Sequence, residues 1–189
     1  MKYCIANWKM NMNNSKASYF CTYIIESLLN DTNKNDYPFK ENISIIICPS
    51  YTTLDILAPL EETPLIPQID LGVQNINPNT HGAYTGEISI DMVKRFGVKW
   101  AIVGHSERRS LFNESNKFIN SKVKATLGNG VRPILCIGET LENREAGKTE
   151  EVLFNQLKYC LGGISCNDDF LIAYEPVWAI GTGKNADND

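Results

Sequence analysis

The chain has 189 residues, 43% of them apolar and 21% charged, with a formal net charge of −4 and a pI near 5.3. That is length enough for one well-buried core, with the composition of an ordinary soluble globular domain. The acidic balance argues against a general nucleic-acid surface, and no apolar run approaches the roughly 18 residues that span a bilayer.

The opening MKYCIANWKMN is apolar only from Tyr3 to Ala6, too short for a signal-peptide core, so the expected compartment is the cytoplasm. Six cysteines stand at Cys4, Cys21, Cys48, Cys136, Cys160 and Cys166, without a CxxC pair or a Cys/His cluster. Neither a zinc site nor a redox motif is indicated, and no metal or other cofactor is expected. Several of these thiols fall inside apolar runs (CIAN, IIICP, ILCIGE), where a free cysteine is ordinarily a small core residue.

In chain order, the strand candidates are Tyr3–Ala6, Ile43–Cys48, Ile69–Gln74, Trp100–Val103, Pro133–Ile137 and Phe170–Tyr174. Several are apolar at consecutive positions, as parallel strands covered on both faces should be. Between them lie helical patterns. Ser15–Asn30 spaces Ala17, Phe20, Cys21, Ile24, Ile25 and Leu28 by three and four. Asn113–Leu127 does the same through Phe118, Ile119, Val123 and Leu127, and Thr149–Leu161 through Val152, Leu153, Leu157 and Leu161.

Strand then helix at roughly 30-residue spacing is the mark of successive βαβ units, with no linker between them. Both a doubly wound sheet and a (β/α) barrel fit. Polar residues gather just after the strands: Asn7 and Lys9, Gln74 and Asn75, His105, Glu139, Glu175. In a barrel such positions converge on one mouth. ANWKMN follows the first strand where a dinucleotide sheet would carry GxGxxG, which disfavours that fold. GTGK at Gly181–Lys184 lacks the upstream glycine and following Ser or Thr of a phosphate loop.

Three strand-end residues have chemistry to offer. Lys9 reads either as a solvated lysine or as a fixed cation for an anionic substrate or developing oxyanion. His105, in WAIVGHSERR, ends a strand and precedes what reads as the first turn of a short helix. The positive end of a helix disfavours imidazolium, so a neutral ring could donate to a carbonyl; the competing reading is a structural histidine bonded to a loop. Glu175 ends FLIAYEP, where a partly buried carboxylate suits a general base for a carbon-bound proton. Behind it Val177-Trp178-Ala179-Ile180 would expose four apolar residues unless they fold over something. Pro176 on one side and Gly181-Thr182-Gly183 on the other resemble the hinges of a lid; an ordinary packed loop is the plainer alternative. Base, neutral donor, cation and lid together suit proton transfer beside a carbonyl through an enediolate, with no metal or redox group required.

ANWKMN, GAYTGE (Gly82–Glu87), VGHSERR, ILCIGET and AYEPVWAIGTGK stand in order along the chain. On these five motifs the sequence closely resembles the triosephosphate isomerase family over its entire length. That family is itself a standard case of a carboxylate base and a neutral histidine behind a closing loop, so these roles follow from the resemblance and not from spacing. The resemblance implies an α/β fold of the (β/α)8 barrel family, in one domain spanning residues 1–189. It implies interconversion of dihydroxyacetone phosphate and D-glyceraldehyde 3-phosphate, in glycolysis and gluconeogenesis. Glu175 would be the base, His105 the electrophile and Lys9 the substrate-binding cation, with Asn7 beside it. Glu107 and Cys136 would be supporting residues. Pro176, Val177, Trp178, Ala179, Ile180, Gly181, Thr182, Gly183 and Lys184 would form the lid, with the Gly181 amide on the phosphate. Gln74, Asn75 and Thr85 would belong to a loop that reaches a partner subunit in a homodimer. His81 would be a loop residue without chemistry.

The family barrel takes eight strands and about 250 residues, whereas six strands are legible before the terminal KNADND. The expectation is an incomplete barrel that lacks its last two βα units and their phosphate-gripping amides, with weak or no activity of these residues alone. The first and sixth strands would then be open apolar edges. Two alternatives stand beside the isomerase: an inactive binding or assembly fragment, and another phosphosugar enzyme on the same barrel.

Overall fold

The computed structural model describes residues 2–30, 43–62 and 69–180. The elements alternate as β1 (Lys2–Asn7), α1 (Asn14–Asn30), β2 (Ile43–Cys48), α2 (Leu54–Glu62), β3 (Ile69–Val73), α3 (Ile90–Lys94), β4 (Trp100–Val103), α4 (Ser106–Leu111), α5 (Asn116–Gly128), β5 (Arg132–Ile137), α6 (Leu141–Glu145), α7 (Thr149–Cys160) and β6 (Leu171–Tyr174). The chain divides into two compact units, residues 1–76 with 80–101 and residues 77–79 with 102–189.

In the first unit β1 pairs with β2, β2 with β3, and β3 with β4, all parallel. Ile46, Ile47, Cys48, Leu71 and Val73 are buried at their centre, so the unbroken apolar runs are explained by cover on both faces. Gly72 leaves the room that this packing uses: a Cβ there would lie 2.5 Å from the Cys48 sulfur. The helix α1 starts where the Asn13 side chain accepts from the Lys16 amide at 3.0 Å. It buries Ala17 and Cys21, the Cys21 thiol reaching the Ile56 carbonyl of α2, while Phe20 meets Trp8 edge-on at 5.1 Å. Burial raises the Cys21 and Cys48 thiols, Cys48 to about 12.

In the second unit β5 and β6 are parallel, and Val103, Leu135 and Ile137 form a core with Ile119 and Val123 of α5 and Cys160 of α7. The expected helix at Asn113 begins three residues later. Asn113 takes a left-handed φ of +55°, and the Ser115 hydroxyl caps the Phe118 amide at 3.2 Å. Ile119 and Val123 are buried and Leu127 packs beside them as expected, but one position of that face differs. Phe118 is exposed, and fully buried Lys122 takes the inward place, its Nζ 2.6 Å from Glu114 and 4.8 Å from the Phe118 ring centre. An ion pair with buried Glu114 makes that burial tolerable. The helices α2, α3 and α6 were not legible; α2 contains Pro59, and α3 and α6 are five residues each.

The open edges are as expected. Among the described residues β1 is bonded to β2 alone and β6 to β5 alone. Tyr3 and Ile5 on β1, and Ile172 and Tyr174 on β6, are between 37% and 48% exposed. No helix among the described residues is long and apolar enough to cross a membrane.

Candidate active site

In the second unit the chain leaves β4 through Gly104, whose φ of +71° turns it sharply, and His105 becomes the N-cap of α4. The His105 carbonyl accepts from the amides of Arg108 and Arg109, at 2.9 and 3.0 Å. Its ring Nδ1 accepts from the Glu107 amide at 3.2 Å, and its Nε2 stands 2.8 Å from Glu175 Oε1. The other carboxylate oxygen, Oε2, accepts from the Ser106 amide at 2.9 Å. His105 and Glu175 side chains are only 10% and 14% exposed.

This network selects a tautomer. A ring nitrogen that accepts an amide hydrogen carries no proton, so the neutral imidazole holds its hydrogen on Nε2 and donates it to Glu175. The Glu107 carboxylate lies 3.5 Å from Nδ1 and could instead pair with a protonated ring. It is 44% exposed and more distant than the directed amide, so the amide contact governs. An Nε2–H is thereby held ready for an oxygen, and a carboxylate is held beside it.

The sheet supplies the placement of Glu175. Ile137 and Tyr174 are register partners, and one residue further the Glu175 amide donates to the Ile137 carbonyl at 2.7 Å. Gly138 follows. A Cβ at that position would lie 2.0 Å from the Glu175 carbonyl oxygen, so only glycine allows this approach. The Gln156 side chain bonds both the amide and the carbonyl of Gly138, each at 2.9 Å.

After Glu175 the segment turns into a 3-10 turn, Val177–Ala179, closed by Val177 N to Glu175 O and Ala179 N to Pro176 O, both 2.8 Å. Pro176 through Ala179 are half-buried and Ile180 is exposed. Trp178 stacks under the Arg144 guanidinium at 4.4 Å, and Arg144 reaches fully buried Glu139 at 3.3 Å. The Tyr174 hydroxyl donates to the same carboxylate. The expected lid residues Gly181, Thr182, Gly183 and Lys184 lie outside the described residues.

The first unit carries the other expected residues. After β1, the Asn7 side chain accepts from the Lys9 amide at 3.0 Å, and Lys9 itself takes a left-handed φ of +50°. A lysine held in that region is strained and needs support. Gln74 supplies it, donating to the Lys9 carbonyl at 2.9 Å and the Cys48 carbonyl at 3.1 Å. Gln74 therefore braces the Lys9 loop, a contact that its grouping with a subunit loop did not anticipate. The Asn75 carbonyl accepts from the Tyr51 hydroxyl. Thr85 lies exposed in a loop with Gly82 and Gly86 at positive φ, and His81 is exposed with Nδ1 on the Thr80 hydroxyl.

Cys136 is buried in β5 and its carbonyl accepts from Arg109. Sequence reasoning passed over the Ser106 amide, Gly138 and Arg109, and counted Glu139 only as one of the polar strand-end residues. Ser106 and Arg109 stood in VGHSERR, and Gly138 and Glu139 in ILCIGET, but nothing in residue type told that these groups hold the site.

A family model described as triosephosphate isomerase matches residues 2–189. The triosephosphate isomerase of Mycoplasmopsis pulmonis is 45% identical over 184 residues, 96% of this chain and 71% of that protein. That of Fusobacterium nucleatum is 46% identical over 182 residues, covering 95% and 68%. That of Saccharomyces cerevisiae is 49% identical over 152 residues, covering 80% and 60%.

Proposed function

The chain belongs to the triosephosphate isomerase family, isomerases on a (β/α) barrel of which it carries six strands, and on that premise we propose that it interconverts dihydroxyacetone phosphate and D-glyceraldehyde 3-phosphate. The observation that carries the reading is the His105 ring, with Nδ1 occupied by the Glu107 amide and Nε2 facing Glu175 at 2.8 Å. Glu175 leaves that contact and takes a proton from the carbon beside the substrate carbonyl. The electron pair of the broken C–H bond moves onto the carbonyl oxygen, where the His105 Nε2–H stabilises the developing charge. The hydroxyl proton on the carbon that lost hydrogen passes by way of the His105 ring to the former carbonyl oxygen, and the same carboxylate delivers its proton to the neighbouring carbon as the new carbonyl forms, which completes the isomerisation without a cofactor.

On the family's sequence pattern Lys9, with Asn7 beside it, supplies the cation for the substrate, and Gly181 offers an amide to its phosphate. Glu107 acts through the amide that sets the histidine tautomer. Cys136 is structural, since its side chain is buried in β5. Pro176–Lys184 close over the substrate and exclude water. Gln74, Asn75 and Thr85 belong to the contact with a second subunit, and the cytoplasm is the setting. A coupled assay on the full protein tests this: turnover of triose phosphate is expected. Turnover of another phosphosugar with triose phosphate left untouched would overturn it.

A further inference from the structure

Resting on that reading, we propose that Arg109 is a positioning residue that holds His105 and Glu175 at their working separation. It lies on α4 but its side chain turns back toward the strand ends. Its Nε donates to the Gly104 carbonyl at 2.7 Å, one Nη to Asn116 Oδ1 at 2.5 Å, and the other to the Cys136 carbonyl at 3.1 Å. Cys160, at the end of α7, places its sulfur 3.7 Å from the same guanidinium nitrogen and 3.4 Å from Asn116 Oδ1.

The acceptors matter more than their number. Gly104 immediately precedes His105, so its carbonyl fixes the peptide that sets the ring in place. Cys136 immediately precedes Ile137, whose carbonyl takes the Glu175 amide at 2.7 Å. One guanidinium thus ties the backbone carrying the donor ring to the backbone that seats the carboxylate. Asn116 at the start of α5 anchors the guanidinium. A Cβ at Gly104 would stand 3.0 Å from the Arg109 Nη, so the strand end and the side chain are fitted closely. Only a planar fork of donors can hold three acceptors that diverge in this way; a lysine ammonium is a single point on a flexible stem.

Arg109 touches neither His105 Nε2 nor the Glu175 carboxylate, so the test must separate positioning from plain stability. In Arg109→Lys, kcat is expected to fall about 10- to 100-fold with KM within about twofold, because small misplacement of reacting groups costs rate and not binding. The downfield NMR signal of the His105 Nε2 proton, bonded to Glu175, is expected to shift or broaden in the same variant. Asn116→Ala removes one anchor and should give a smaller change in both, which keeps the test available if Arg109→Lys does not fold. A folded variant with lowered melting temperature but unchanged kcat and unchanged ring signal would overturn the proposal. The two readings fail separately. A wild-type protein without isomerase activity, whose ring signal still moves on Arg109→Lys, refutes the function and retains the positioning. An active protein indifferent to both substitutions refutes the positioning alone.

Discussion

Gly138→Ala is the most exacting test of how Glu175 is placed. Gly138 does not have a positive φ, so alanine meets no backbone objection there, and the obstacle is purely one of contact. Its Cβ would fall 2.0 Å from the Glu175 carbonyl oxygen and 3.0 Å from a methyl of Val177. Restoring a tolerable separation requires about 1 Å of movement, since contacts much under 3 Å are not sustained. Gly138 is held on its other side by both bonds to Gln156, so the strain falls on the Glu175 peptide. That peptide carries the 2.7 Å bond to Ile137 and opens the Val177–Ala179 turn. A displacement of that size predicts a loss of about 100-fold in kcat. Overpacking predicts about 1–3 kcal/mol of destabilisation. Steady-state kinetics with triose phosphate, alongside urea denaturation, measure the two effects. A folded Gly138→Ala protein whose kcat stays within twofold of wild type would show that the close approach does not position the base.

The two reacting groups give the plainest expectations. Glu175→Asp withdraws the carboxylate by about 1 Å and should cost about 100-fold in kcat, and His105→Gln should lose a similar factor with its ring donor. Unchanged kcat in either would remove that residue from the mechanism. Lys122→Met breaks a buried pair and should destabilise by about 3 kcal/mol, the low end for such losses, because Arg108 still pairs with Glu114 at 2.5 Å. A change under about 1 kcal/mol by urea denaturation would refute it. The Cys48 thiol, raised by burial to about 12, stays protonated in the folded chain where an unfolded thiol begins to ionise near pH 9. Its contribution is therefore complete below pH 9 and declines as pH rises from 9 toward 12, with a slope of up to about 1.4 kcal/mol per unit. Wild type should lose stability faster than Cys48→Ala across pH 9 to 10.5; parallel curves would contradict this.

The strands and the long helices were legible because each expresses a repeating local demand. Ile43–Cys48 and Trp100–Val103 were bounded to the residue, since nearly continuous apolar runs of this length fit a covered parallel strand. At α5 the same reasoning misplaced the start and one position of the face, while Ile119, Val123 and Leu127 pack inward as read. Periodicity counts Phe118 as core and Lys122 as surface, and cannot know that Glu114 stands ready to neutralise a buried ammonium. The five-residue α3 and α6 escaped because so short a stretch barely repeats a period, and Pro59 spoke against a helix at α2.

The sequence alone determined the family, the six strands with the three long helices between them, and the residue types of the chemistry: a carboxylate and a histidine at strand ends. It could do so because strand alternation and ordered motifs are one-dimensional signals. Only the tertiary structure decided which nitrogen of His105 carries the hydrogen, since that rests on an amide two residues away. It likewise decided that Glu175 depends on the missing side chain of Gly138, 37 residues before it in the chain, and that Gln74 braces Lys9 across 65 residues. Such contacts join groups whose separation along the chain carries no periodicity. Their partners exist only once the chain has folded.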